Sequence, residues 1–108
     1  MATKANLVID QGSTFSTDLT LNDENGDALN LAGYSANSQM RKWYTSSNAT
    51  ATFTTNVDAA GIITLSLTAN QTGSITAGRY VYDVEINDGS TTSRVVEGII
   101  TVTPQVTR

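Results

Sequence analysis

Hydrophobic and polar residues alternate along most of the chain. In six runs the apolar side chains share one parity, and these are Phe15, Leu19 and Leu21; Tyr34, Ala36 and Met40; Ala49, Ala51 and Phe53; Ile63, Leu65 and Leu67; Tyr80, Tyr82, Val84 and Ile86; and Val96, Ile100 and Val102. A period of two buries one face of a β-strand and leaves the other face in water. With a weaker first run in ANLVID, the pattern predicts about seven half-buried strands.

Turn residues separate these runs. Asn25-Gly26 and Asp88-Gly89 favour the positive φ angles of tight turns, and Gly61 follows a further corner. Short strands divided in this way are typical of a sandwich or a barrel. We therefore predict an all-β fold, an immunoglobulin-like antiparallel β-sandwich. It forms a single domain over residues 1–108, with residues 1–5 and 104–108 as extended tails.

Two short motifs add detail to this fold. Thr68-Ala69-Asn70-Gln71 has the Thr-x-x-Gln form of a capping box, which predicts one helical turn between the fifth and sixth strands. Gly78-Arg79-Tyr80-Val81-Tyr82 has the spacing of a tyrosine corner. We expect the Tyr80 hydroxyl to hydrogen-bond to the backbone across the turn, and Tyr82 to fill the core.

The charge balance narrows the range of partners. The net charge is −4, the pI is near 4.4, and only six Lys and Arg are spread along the chain. Phosphate binding needs clustered cations, so we expect no nucleic-acid partner. The apolar run at residues 7–9 is too short for a membrane span or for the core of a signal peptide, which predicts no membrane partner and synthesis in the cytosol.

The chain has few residues suited to catalysis or metal binding. It contains no histidine and no cysteine, which removes the commonest general base, the thiol nucleophile and zinc sites. Asp83 and Glu85 could act as paired carboxylates, but their parity opposes that of the tyrosines and places them in water. The acidic segment 23–27 could offer oxygens to Ca²⁺ but lacks EF-hand spacing. We predict no catalytic residue, no metal and no cofactor, and therefore no enzyme.

Two segments are candidate partner interfaces. Trp43 lies in a basic and aromatic cluster, and it is either a core tryptophan of the third strand or an interface anchor, since its parity opposes that of Met40. The strand edges lack guarding lysines, and the C-terminal segment could add as a strand to a neighbouring sheet. The predicted interface residues are Arg41, Lys42, Trp43, Tyr44, Pro104, Val106 and Arg108.

Several motifs together are familiar from one group of proteins. They are Gln11-Gly12-Ser13-Thr14-Phe15, Asn30-Leu31-Ala32-Gly33-Tyr34, Gln39-Met40-Arg41, Gly78-Arg79-Tyr80-Val81-Tyr82-Asp83-Val84, Glu97-Gly98 and the final TVTPQVTR. Over nearly its whole length the chain resembles small structural proteins of tailed-bacteriophage virions. It is similar to the N-terminal β-sandwich domains of phage baseplate upper proteins and tail-fibre attachment proteins.

The resemblance implies an assembly role without catalysis, in the virion, after synthesis in the host cytoplasm. Expected partners are other virion proteins and copies of the chain itself, at the tail, baseplate or neck as an adaptor or fibre-attachment subunit. The alternative within this class is a capsid decoration protein. A separate alternative rests on the residues themselves: Trp43 and Tyr44 could present an aromatic platform to a sugar, as in a carbohydrate-binding module, and a host-surface glycan is then a partner. The matched motifs mark fold-specifying residues, namely Gly12, Phe15, Gly33, Tyr34, Gly78, Tyr80, Tyr82 and Gly98.

Overall fold

The computed structural model describes residues 3–22, 26, 29–43, 49–58 and 60–106. These residues contain one short helix and nine strand segments. In chain order the elements are β1 (Thr3–Lys4), β2 (Leu7–Asp10), β3 (Phe15–Thr20), β4 (Ser35–Arg41), β5 (Ala51–Thr52), β6 (Thr54–Asp58), β7 (Ile62–Leu67), α1 (Ala69–Gly73), β8 (Gly78–Asn87) and β9 (Thr92–Thr103).

The strands form two sheets that pack as an immunoglobulin-like β-sandwich. The larger sheet, which we call sheet A, has the order β1-β9-β8-β4-β5, and β2 continues β1 along β9. The smaller sheet, sheet B, has the order β3-β7-β6. Taking β1 with β2 and β5 with β6 as interrupted strands gives the seven strands that the sequence predicts. One pairing differs from the prediction, because β1 and β2 run parallel to β9 whereas the other pairs are antiparallel.

The core lies between the sheets and follows the alternation in the sequence. β7 and β8 are buried at every second residue. The predicted inward faces of β4 and β9 are also buried, as Met40 and Ile100 show with no solvent exposure. The rings of Phe15, Phe53 and Tyr82 contact one another, with centroid distances of 6.0 Å between Phe15 and Phe53 and 6.4 Å between Phe53 and Tyr82. The hydrophobic pattern therefore places the core correctly.

One chain segment belongs to both sheets. β5 pairs with β4 in sheet A, Phe53 interrupts the strand, and β6 then pairs with β7 in sheet B. The Phe53 N–H donates to Ser38 O at 2.9 Å, and Thr55 Oγ1 donates to Ala36 O at 2.8 Å. The hydrogen bonds keep β6 tied to β4, so this lateral side of the sandwich is closed.

A second interruption separates β1 from β2. The Ala5 N–H still donates to Glu97 O, and Asn6 Oδ1 accepts from the Ile99 N–H at 3.1 Å, as a backbone carbonyl would in a regular ladder. The backbone of Ala5 lies so close to β9 that a Cβ on Gly98 would meet Ala5 O at 2.1 Å. Gly98 is therefore required because no side chain fits between β9 and the backbone of Ala5.

Both short motifs adopt the predicted structures. Thr68 Oγ1 accepts from the Gln71 N–H at 3.2 Å, and Gln71 Oε1 accepts from the Thr68 N–H at 2.8 Å, which completes a capping box on α1. The Tyr80 hydroxyl donates to Thr76 O at 2.5 Å, as a tyrosine corner requires. Tyr82 is buried, and its hydroxyl donates to Ala5 O at 2.6 Å.

The structure settles one open alternative and corrects one expectation. Of the two positions considered for Trp43, the core is excluded, since 66% of the residue is exposed where the chain bends just beyond β4. Within the predicted N-terminal tail, residues 1–5, Thr3 and Lys4 pair with β9 and so belong to sheet A. Among the described residues, no helix combines the length and the apolar character needed to cross a membrane.

Candidate functional site

The two predicted interface segments leave the sandwich at the same end. β4 and β9 are each antiparallel to the strand between them, β8, so they run in the same direction and end together. Arg41 at the end of β4 pairs with Val81, and Val102 near the end of β9 pairs with Gly78. Because α1 connects the end of β7 to the start of β8, it lies at this end too. We call this region the α1 end.

Lys42 is held against the start of β8. Its Nζ donates to Arg79 O at 3.1 Å and lies 4.9 Å from the centroid of the Tyr80 ring. The same Nζ lies 5.8 Å from the centroid of the Trp43 ring. Contacts between an ammonium and aromatic rings at such distances are attractive. Lys42 therefore links the exposed Trp43 to Tyr80, whose own hydroxyl is fixed by Thr76.

The outer face of sheet A continues from this cluster. Arg41 Nη2 donates to Gln39 Oε1 at 2.8 Å, and both side chains border a shallow cavity of about 120 Å³ with Val81, Tyr82 and Asp83. Ligand pockets are usually about 300–1,000 Å³, so this cavity is too small for a typical organic ligand. The cavity is therefore a hollow in the outer surface of sheet A, next to the end of β4, rather than a ligand pocket.

Two exposed apolar side chains on this face were not foreseen as interface residues. Ile99 is 41% exposed and pairs with Val81, while Val8 is 61% exposed on β2. Both residues have the parity that faces water. An apolar residue at a water-facing position of a strand is the feature from which the sequence could have predicted this exposed apolar surface. They extend the apolar surface of sheet A towards its β2 edge.

The C-terminal segment is anchored where it leaves β9. The Gln105 N–H donates to Gln11 Oε1 at 2.9 Å, while Gln11 Nε2 donates to Ile75 O at 2.8 Å. The Gln105 side chain lies over Gly12, where a Cβ would come within 2.4 Å of it. Beyond this anchor Val106 is 91% exposed. Pro104 and Val106 are thus both at the α1 end, while Tyr44 and Arg108 lie outside the described residues.

The acidic residues that the structure describes form no group able to hold a metal ion. Asp83 and Glu85 face outward from β8, as predicted, and Asp83 pairs across the strands with Glu97. Glu97 is bound instead by Arg94, at 3.1 Å, and by Lys4, at 4.0 Å. Within the part of the chain that the structure describes, no group of three or more His, Cys, Asp or Glu could hold a metal ion. The acidic segment 23–27 lies outside that part except for Gly26.

The remaining fold-specifying residues lie in turns and at strand ends. Phe15 begins β3, and Gly78 begins β8. Gly33 occupies the turn before β4, where the Tyr34 N–H donates to Leu31 O at 3.0 Å. These positions shape the ends of the sandwich and contribute no side chain to the cluster around Trp43.

Comparison with known proteins identifies the fold and no family. No protein-family model and no curated protein sequence matches the chain. Among solved structures, the chain is similar to the crystal structure of the Lin-41 filamin domain, with a TM-score of 0.52 and 16% sequence identity. That similarity covers 89% of this chain and 82% of the other. At this level of identity it supports an immunoglobulin-like β-sandwich and carries no information about activity.

Proposed function

We propose that the protein is a non-enzymatic structural subunit of a phage virion that binds other virion proteins and copies of itself. Its place is the tail, baseplate or neck, as an adaptor or fibre-attachment subunit. The resemblance of the sequence motifs supports the phage assignment. The observation that carries the assembly role is the position of Trp43 and of the C-terminal segment, both exposed at one end of the sandwich.

The α1 end has the properties of a prepared docking surface. Tryptophan and arginine are the residues that most often anchor protein interfaces, and Trp43 lies beside Arg41 and Lys42. Lys42 is fixed by Arg79 O and the Tyr80 ring, so little side-chain entropy remains to be lost when a partner covers it. A surface ordered before binding loses less free energy on association than a mobile one.

The test is incorporation into particles. Phages carrying Trp43→Ala in this gene are compared with phages carrying Thr91→Ala, a change at an exposed residue in the turn between β8 and β9, at the opposite end of the sandwich. We expect Trp43→Ala to reduce the copies per particle, measured by quantitative mass spectrometry, while the melting temperature of the purified protein stays unchanged. Thr91→Ala is expected to leave incorporation normal.

Immunogold electron microscopy of the same particles locates the subunit. Label at the tail, baseplate or neck supports an adaptor, and label over the head supports the alternative of a capsid decoration protein. A protein that is absent from purified particles by both methods contradicts the virion role.

The exposure of Trp43 also favours one different function. A tryptophan that is 66% exposed on a β-sandwich could serve as a stacking platform for a sugar ring, as in carbohydrate-binding modules. Binding of the isolated protein to host-surface glycans, lost in Trp43→Ala, would support this function. A glycan screen without any Trp43-dependent signal would exclude it.

A further inference from the structure

We propose that the end of the C-terminal segment of one copy, from Val106 onward, adds as a strand to β3 of a second copy and enters the cleft between β2 and β3, while Gln105 stays anchored on its own molecule. The inference rests on the proposed assembly function and names the surfaces that copies use. Addition of a strand to a free sheet edge gives affinity through main-chain hydrogen bonds and specificity through alternate side chains.

The cleft exists because the two lateral sides of the sandwich differ. On one side β5 and β6 pass from sheet A to sheet B and close the gap between the sheets. On the other side β2 ends sheet A and β3 ends sheet B, and no strand of the described chain pairs with their outer edges. The opening between them is a cleft of about 390 Å³, lined by Asn6, Leu7, Val8, Asp10, Ser13, Thr14, Phe15, Ser16 and Thr17.

β3 is a suitable acceptor for an added strand. It has six residues in continuous register with β7, and its sequence FSTDLT contains no proline and no lysine. Its one charged residue, Asp18, accepts from Thr64 Oγ1 on β7 at 2.7 Å. Proteins usually guard an exposed edge with such residues, with a bulge, or with a very short strand. Along the unpaired edge of β3, alternate N–H and C=O groups point away from β7. β2 is a poorer acceptor because it is four residues long and is interrupted at Asn6.

The cleft offers apolar contacts beside this edge. Leu7 and Phe15 are only partly buried although they pack against the core, and Val8 is 61% exposed. A strand laid along β3 would cover Leu7 and Phe15 with every second side chain. Removing apolar area of this kind from water favours association.

The C-terminal segment has the chemistry to occupy the cleft. Val106 and Arg108 share one parity, and Val106 is 91% exposed in its own molecule. The segment carries a cation and no acid, whereas Asp10, which accepts from Thr103 Oγ1 at 2.7 Å, is the only charged side chain among the described residues that line the cleft. The apolar side chain of Val106 and the opposite sign of the two charges favour this segment as the occupant.

The receiving cleft belongs to a second copy. In its own molecule the segment is fixed at the end of β2, because Gln105 is hydrogen-bonded to Gln11 and covers Gly12. Beyond that anchor Val106 is 91% exposed, so its side chain is not packed on its own molecule and is available to a neighbouring copy.

The test uses the purified full chain and two variants that remove opposite halves of the contact. Deletion of residues 104–108 removes the donor, and Ser16→Lys places a guarding cation on the acceptor edge. Thr54→Lys is the control: Thr54 and Ser16 flank Ser66 on the two edges of sheet B, both are exposed, and the charge change is the same. Self-association is measured by sedimentation velocity up to about 1 mM, where weak contacts become visible.

We expect wild type and Thr54→Lys to self-associate equally, and each of the other variants to associate at least about tenfold more weakly. Mixing the deletion variant with Ser16→Lys should restore a heterodimer, because one supplies the cleft and the other supplies the segment. Two misfolded variants could not complement each other in this way. Wild type that stays monomeric, equal loss in Ser16→Lys and Thr54→Lys, or a mixture that does not dimerise would each overturn the inference.

The self-association experiment and the particle experiment can fail independently, so they test the strand addition and the virion role separately. A protein that is present in particles but monomeric in solution would contradict the strand addition and leave the virion role intact. A protein that associates through its C-terminal segment but is missing from particles would do the reverse.

Discussion

At the scale of single residues, Tyr82 joins the core to the interruption between β1 and β2. Its hydroxyl donates to Ala5 O at 2.6 Å, and burial raises the pKa of the phenol to about 12. A raised folded-state pKa means that the folded protein favours the neutral phenol. The stabilisation is fully present below the unfolded pKa of about 10 and is lost as pH rises through 12.

We therefore predict that the free energy of unfolding falls as the pH rises from 10 to 12. Because the pKa of Tyr82 is raised by about two units, the expected fall is roughly 2–3 kcal/mol. Tyr82→Phe should cost about 1 kcal/mol at neutral pH through the lost hydrogen bond, and should flatten this alkaline dependence. Urea titrations across the pH range measure both effects, with Tyr34→Phe as the control. An alkaline slope unchanged in Tyr82→Phe would show that another group causes it.

The absence of a side chain at Gly98 allows the backbone of Ala5, between β1 and β2, to lie close against β9. A Cβ at this position would lie 2.1 Å from Ala5 O and 2.8 Å from Ala5 C, so the backbone of β1 and β2 would have to move. We predict that Gly98→Ala destabilises the protein by roughly 2–3 kcal/mol, as overpacking against backbone does. Gly73→Ala is the control, because its nearest outside atom is at an ordinary 3.8 Å. Equal melting temperatures for the two variants would contradict the steric account.

At the scale of secondary-structure elements, α1 depends on its first residue. Thr68 caps the helix through two reciprocal hydrogen bonds with Gln71. Because the helix has only five residues, it forms few hydrogen bonds of its own and depends on this cap. We predict that Thr68→Ala lowers the free energy of unfolding by about 1 kcal/mol, whereas Thr68→Ser has little effect. Chemical denaturation of both variants measures the difference. Serine keeps the capping hydroxyl and removes only a methyl group at an exposed position. A large effect of Thr68→Ser would therefore indicate a role other than capping.

The elements also show what the sequence can and cannot predict. Parity alone places Met40, Leu65 and Val84 in the core, because a strand that faces water on one side must alternate. The exposure of Trp43 follows less directly, since the alternation argues against the core while immunoglobulin-like domains often bury a tryptophan on this strand. The parallel pairing of β2 with β9 and the change of sheet at Phe53 depend on contacts between distant segments. Local pattern carries no information about such contacts.

At the scale of the whole molecule, strand addition limits the symmetry of an assembly to two forms. The donor segment leaves the α1 end and the acceptor edge is β3, so a contact made in one direction joins two different surfaces and is heterologous. Heterologous contacts build rings or open chains, whereas two copies that exchange segments reciprocally stop at a dimer. We predict the heterologous form, in which the mass of the wild-type assembly rises beyond that of a dimer with concentration.

Cysteine cross-linking can test that symmetry, because the natural chain contains no cysteine. In the double variant Thr17→Cys with Val106→Cys, oxidation should link copies into a ladder of dimers, trimers and larger species on a non-reducing gel. Thr55→Cys with Val106→Cys is the control, since Thr55 and Thr17 flank Leu65 on opposite edges of sheet B and both are partly buried. A ladder confined to the first variant requires a head-to-tail contact through β3. Dimers alone in both would mean that copies meet through one self-complementary surface, and the exposed cluster around Trp43 would then be the surface to mutate.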